Sequence, residues 1–112
     1  MMADRISGLI VAALDGLSAR QAATAENIAN ANSPGFRPLR VTFEQALANV
    51  AGRGEAAIHA VRPRIEGAPL GETVRTDLEL ATATATASRY SALAELLNRR
   101  MQIEAIAVTG NQ

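Results

Sequence analysis

"NIANANSPGF", residues 27–36, puts three asparagines into six positions and then runs into Ser-Pro-Gly. Asparagine tolerates the left-handed conformation that closes helices, so Asn30 and Asn32 are expected to end whatever helix precedes them. Pro34 fixes its own φ and pushes Ser33 out of helical space. Gly35 accepts a positive φ, and Ser33-Pro34-Gly35-Phe36 therefore reads as a type II turn. The stretch is a hard helix stop followed by a fixed change of direction. Local physics needs one asparagine and one glycine for this, which leaves Asn27 and Phe36 without a local reason.

Upstream of the turn, Ile6, Ile10, Leu14, Leu17 and Ile28, with Ala13 and Ala25 filling in, form one stripe about 100° wide when placed at 100° per residue. This predicts an amphipathic helix from Ala3 to about Ala31. Gln21 is the one polar residue on the centre line of the stripe. Arg20 and Asn27 lie seven apart on its flank, either as a second contact line for a different neighbour or as ordinary core and solvated edge. Gly8 and Gly16 fall on the opposite side, each costing roughly 1 kcal/mol relative to alanine, so the helix is marginal by itself.

Downstream, Thr42 and Gln45 have the Thr-x-x-Gln spacing of a capping box, and Gly52 supplies an ending, which predicts a short helix from Phe43 to about Ala51. Residues 52–72 contain glycines and two prolines with no sustained period and read as loop, with a brief strand around Ile58 to Val61. His59 is the single histidine. With no second histidine and no acid cluster near it in sequence, it reads as a surface side chain.

A second long helix is announced at "TDLE", where Thr76 is placed to cap and Glu79 to reach back, and both Asp77 and Glu79 suit the positive end of a helix dipole. It is expected to run to about Val108 and stop at Gly110. The run "ATATATA" alternates like a strand, but its alanines favour helix, and small side chains on every face permit close helix approach. Tyr90, Leu93, Leu97, Met101 and Val108 make one stripe. Leu96 and Ile103 make another about 100° away, with Arg100 and Glu104 between them, one turn apart and able to pair. Two stripes imply two partners, and the chain offers only one other long helix.

The 112 residues bound the answer to one domain at most. Eleven arginines, no lysine and eleven acids give a formal charge of zero, so no basic field points to nucleic acid. Cysteine is absent, which removes disulfides and thiolate metal sites. The run Leu9–Leu14 is far shorter than the roughly 20 residues of a membrane span, and Asp4 and Asp15 spoil it as a signal peptide. No paired acids, phosphate-binding glycine loop or nucleophile constellation suggests an enzyme, and no cofactor or metal is expected.

Residues 19–47, "ARQAATAENIANANSPGFRPLRVTFEQAL", resemble the N-terminal signature of the flagellar rod and hook proteins, with its core Asn-Ile-Ala-Asn-x-x-Thr/Ser-Pro-Gly-Tyr/Phe. The continuation Arg37-x-x-x-Val41-x-Phe43-Glu44-x-x-Leu47 is most similar to the proximal rod type. The second half follows the same family in outline, with Gly71-x-Thr73-Val74, Asp77-x-Glu79 and Arg89-Tyr90. It departs from the family pattern at Glu72, Arg75 and Thr86.

The resemblance implies a mainly α fold, with long N- and C-terminal helices paired as an antiparallel coiled-coil-like hairpin and joined by a loop region with one short helix. The segments are 3–32 for the first helix, 33–75 for the turn, short helix and inter-subunit loop, and 76–109 for the second helix. The implied role is a structural subunit of the bacterial flagellar basal-body proximal rod, exported without a cleaved signal. Its implied partners are other rod subunits, the rod base within the membrane ring and the flagellar type III export apparatus, with no nucleic acid and no small-molecule substrate. The candidate interface residues are Arg20, Gln21, Asn27, Asn30, Asn32, Pro34, Gly35, Phe36, Phe43, Tyr90, Leu93, Leu96, Leu97 and Ile103. Composition alone also allows a small helical-hairpin binding module or secretion chaperone.

Overall fold

Asp4 starts the first helix. Its backbone is extended and its carboxylate accepts from the Ser7 N–H at 2.8 Å, which satisfies one of the donors a helix leaves unpaired at its N-terminus. The computed structural model describes residues 4–110, so the expected start at Ala3 lies outside the described residues. Six elements follow in order: α1 (Arg5–Ala29), β1 (Leu39–Thr42), α2 (Glu44–Val50), α3 (Glu55–His59), β2 (Arg64–Gly67) and α4 (Thr76–Gly110). The two long helices run antiparallel, because Asp4 meets Arg100 at one end while Asn27 meets Glu79 at the other. The 35 residues of α4 extend for roughly 52 Å at 1.5 Å per residue, which sets the 63 × 26 × 14 Å shape. No described helix is long and apolar enough to cross a membrane.

The first helix closes at Ala29, slightly earlier than expected, and not by left-handed asparagines. Asn30 has φ −105°, and no described non-glycine residue has a positive φ. Asn30 closes the helix with its side chain instead, donating to the Glu26 carbonyl at 3.0 Å and accepting from Ser33 Oγ at 3.2 Å. The turn behind it matches the sequence reading. Gly35 takes φ +75°, and the Phe36 N–H donates to the Ser33 carbonyl at 3.2 Å.

Between the long helices the structure holds more order than periodicity reveals. β1 and β2 pair antiparallel, with Arg40 opposite Glu66 and Val41 opposite Ile65. Neither strand is legible as such in the sequence, and the strand expected at Ile58–Val61 is replaced by the end of α3, in which Ile58 is fully buried. The short helix α2 lies within a residue of its expected bounds, but Phe43 occupies its N-cap without a side-chain cap bond and Gln45 bonds Asn49 instead. The Thr42–Gln45 capping box does not form, because Thr42 is committed to the strand ladder.

The hydrophobic core also lies elsewhere than between the two long helices. Leu17, Ala23, Val41, Phe43, Leu47 and Ile58 form it, and Leu93 is the residue of α4 that packs against it. The connecting region therefore covers the side of α1 that carries Gly8 and Gly16. Gly16 is buried, and a Cβ there would lie 2.4 Å from the Phe43 ring. It is the close-approach site for the Phe43 ring. α1 is thus sandwiched, which offsets its low propensity. On the expected α1 stripe, Ile10 and Leu17 are buried, while Ile6 and Ala25 are exposed.

Candidate functional site

Asn27 sits on the last full turn of α1 at 1% exposure and binds three elements together. Its Oδ1 accepts from the Leu39 N–H at 2.8 Å, and its Nδ2 donates to the Leu39 carbonyl at 3.0 Å and to Glu79 Oε1 at 2.7 Å. The amide behaves as a one-residue strand on the free edge of β1. A primary amide is the side-chain group that can donate and accept in one plane, as a backbone edge does. Glu79, itself 7% exposed, also lies 3.6 Å from Arg40 Nη1. The expected capping role of Glu79 is corrected: it points into the fold, and the first bond of α4 runs from its N–H to the Arg75 carbonyl at 2.9 Å.

About two helical turns earlier, Arg20 performs a similar function toward the hairpin. Its guanidinium holds Glu44 with both nitrogens, at 2.6 and 2.8 Å, donates to the Val41 carbonyl at 2.7 Å, and lies 4.9 Å from the centre of the Phe43 ring. The Arg20 hydrogen bonds pull the Glu44 carboxyl down to about 2. Arg20 and Asn27 do form a second contact line on α1, as their seven-residue spacing suggested, but the neighbour is the chain's own hairpin.

Gln21 lies between the long helices and donates to the Ala83 carbonyl of α4 at 3.3 Å, while its Oε1 has no partner among the described residues. This places "ATATATA" against α1, with Thr86 buried and Ala83 close enough for its backbone to be reached. The expected Arg100–Glu104 pair is also corrected. Arg100 crosses to α1, reaching Asp4 at 2.5 Å and Ser7 Oγ at 3.3 Å. Hydrogen bonds from the Ser7 backbone, first, and then from Ser7 Oγ and Arg100 lower the Asp4 carboxyl below its ordinary range.

Two groups of expected interface residues remain at the surface. At the turn end of the molecule, Asn32, Pro34 and Gly35 are exposed and Phe36 is half-buried beside a groove of about 410 Å³ shared with residues 70–74. Along α4, Leu93 and Leu97 are half-buried toward α1, whereas Tyr90, Leu96 and Ile103 are exposed. Met101 and Val108, placed on the inner stripe by angle, are exposed as well, because α1 begins opposite Arg100 and the last turns of α4 run past it. Asn27 and Phe43 are buried inside the chain and are not surface residues.

Residues 11–37 match the family model described as flagella basal body rod protein. Over this stretch, about a quarter of the chain, the protein is similar to the flagellar basal body rod family. The matched segment is the part of α1 that carries Arg20, Gln21 and Asn27, followed by the Asn30–Phe36 turn, so the rod-family signature coincides with the residues that bolt α1 to the hairpin and to α4. A comparison with curated proteins gives no match. The match supports a structural subunit of the flagellar basal body that associates with other rod components. Sequence reasoning did not reveal Glu79, Arg40 and Glu44 as the partners of these residues. Two signals pointed to Asn27: the excess of asparagine over what the turn requires, and its seven-residue spacing from Arg20 on the flank of α1.

Proposed function

We propose that this chain is a proximal rod subunit of the FlgB type, which self-assembles with other rod proteins into the hollow, periplasm-spanning shaft and catalyses no reaction. It reaches that site through the flagellar type III export apparatus without a cleaved signal, and it meets the rod base within the membrane ring. The paired α1 and α4 form the coiled-coil-like wall of the tube. The continuation that resembles the proximal type is built into the fold, since Val41, Phe43 and Leu47 fill the core and Glu44 holds Arg20.

The observation that carries the reading is the set of exposed apolar residues along the second half of α4. Leu96, Met101, Ile103, Ile106 and Val108 are all exposed, although the same helix buries a glutamate and a threonine against its own chain. An apolar surface of this kind marks an interaction site. Its test is a pair of variants in a strain lacking the chain. Ile103→Asp, at a site 65% exposed, leaves the melting of the purified protein unchanged, yet fails to restore swimming and depresses it when co-expressed with wild type. Leu97→Asp, facing α1, lowers the melting temperature and is inert in co-expression, because an unpaired carboxylate opposes helix pairing. Full swimming with Ile103→Asp contradicts the proposal.

A further inference from the structure

Among the described residues the sheet has two strands, and β1 is occupied on both sides, by β2 on one and by Asn27 and Arg20 on the other. β2 is paired on one side and exposed along its whole length. The register fixes which of its backbone groups face outward. Ala68 donates to the Pro38 carbonyl at 2.7 Å, so hydrogen-bonded pairs alternate from there through Arg40–Glu66 and Thr42–Arg64. Ile65 and Gly67 therefore turn their N–H and C=O groups away from β1. Among the described residues only one of these groups meets a donor: Gly67 O accepts from Arg37 Nη2 at 3.5 Å.

We propose that two copies of this chain pair through β2, antiparallel and edge to edge, about a two-fold axis at Ile65. The sequence Arg64-Ile65-Glu66 reads as its own complement in that register. Ile65 meets Ile65 as a hydrogen-bonded pair exchanging both N–H···O bonds, Arg64 faces Glu66 of the partner copy, and Glu66 faces Arg64. Gly67 donates to the Pro63 carbonyl across the axis. Pro63 has no N–H to return, and the acceptor this would strand, Gly67 O, is the one that Arg37 already reaches. Moving the partner by two residues either way places Arg64 opposite Arg64 or Glu66 opposite Glu66, and like charges directly opposite are unfavourable. Charge thus selects one register. Ile65, 56% exposed in the single copy, gains a matching apolar neighbour.

An unprotected strand edge is a template for another chain, and this one lacks the like-charged side chains that would repel a copy. The contact is short, well under the roughly 1,200 Å² of a standard interface, so the dimer is weak, with a dissociation constant on the order of 0.1–1 mM. A two-fold contact closes on itself and does not propagate. It is therefore a state of the free subunit, distinct from the contacts of α4 that build an assembly, and it does not depend on the rod reading.

Sedimentation equilibrium of the full chain at low salt, from micromolar concentrations to about 1 mM, tests the proposal. Wild type shifts from monomer to dimer across this range. Arg64→Glu and Glu66→Arg each weaken the dimer at least tenfold, because each makes both facing pairs repulsive. Mixing the two single variants in equal amounts restores dimerisation, since the two acids on the strand of one copy then face the two arginines on the strand of the other. The double variant restores it alone. Far-ultraviolet circular dichroism verifies that each variant retains the wild-type fold. A chain that stays monomeric to about 1 mM, single variants that dimerise as wild type does, or a mixture that fails to recover the dimer each overturn the proposal, the second by assigning the contact to another surface.

Discussion

Replacing Asn27 by leucine preserves side-chain volume while removing the group that joins three elements. The change strands the Leu39 N–H, the Leu39 carbonyl and one carboxylate oxygen of Glu79. A buried polar group left without its partner costs about 1–3 kcal/mol. The two Leu39 groups are only partly buried, and Glu79 keeps Arg40 at 3.6 Å, so each is counted at the low end of the range. The sum is about 3 kcal/mol, a large share of the roughly 5–15 kcal/mol that holds a domain folded. With a urea slope of about 2 kcal/mol/M, the midpoint falls by about 1.5 M. Because Glu79 loses its partner in this variant, combining Asn27→Leu with Glu79→Leu costs less than the sum of the two single changes. A midpoint shift under about 0.5 M, or strict additivity in the double variant, refutes the assignment of Asn27 as the junction of α1, β1 and α4.

Three further outcomes follow from individual contacts. Gly16→Ala places a methyl 2.4 Å from the Phe43 ring and costs about 1–3 kcal/mol in thermal unfolding, and most of that loss disappears when Phe43 is also shortened to leucine. Glu44 has a folded pKa depressed to about 2, so its stabilisation is fully present above about 4.5 and is lost as pH falls from there toward 2. The carboxylate is half exposed, which limits the effect to about 1 kcal/mol, and the stability gap between wild type and Glu44→Gln, measured by urea titration at stepped pH, narrows across that window. Gly35→Val forces a β-branched residue toward φ +75° with no steric crowding of its own, so it impairs swimming through the turn's direction while Gly35→Asn is tolerated.

The long helices and the turn were legible because their signals are local. Apolar spacing marks α1 and α4, and Pro34-Gly35 can hardly adopt anything but a turn. The hairpin was not legible, since β1 and β2 are four residues each and β2 is exposed on every residue, leaving no alternation to read. The partners of Arg20 and Asn27 were hidden for a different reason. Glu44 and Glu79 lie 24 and 52 residues away, so they are found only once the chain is folded. Gly16 was placed on the side away from the apolar stripe, but that the Phe43 ring packs against it there is found only once the chain is folded. The outer α4 stripe of Leu96 and Ile103 was legible, but α4 outrunning α1, which also exposes Met101 and Val108, required the fold.

The central claim, a structural subunit of the basal-body rod, is tested most directly by electron cryo-microscopy of basal bodies purified from cells in which this chain carries the Ile103→Asp change or none. With the wild-type chain, density for the α1–α4 pair and its flanking hairpin should appear in the rod where it joins the membrane ring, with Ile103 against a neighbouring subunit. With Ile103→Asp, that rod segment should be missing. Basal bodies with a complete rod that contains no copy of this chain would contradict the account.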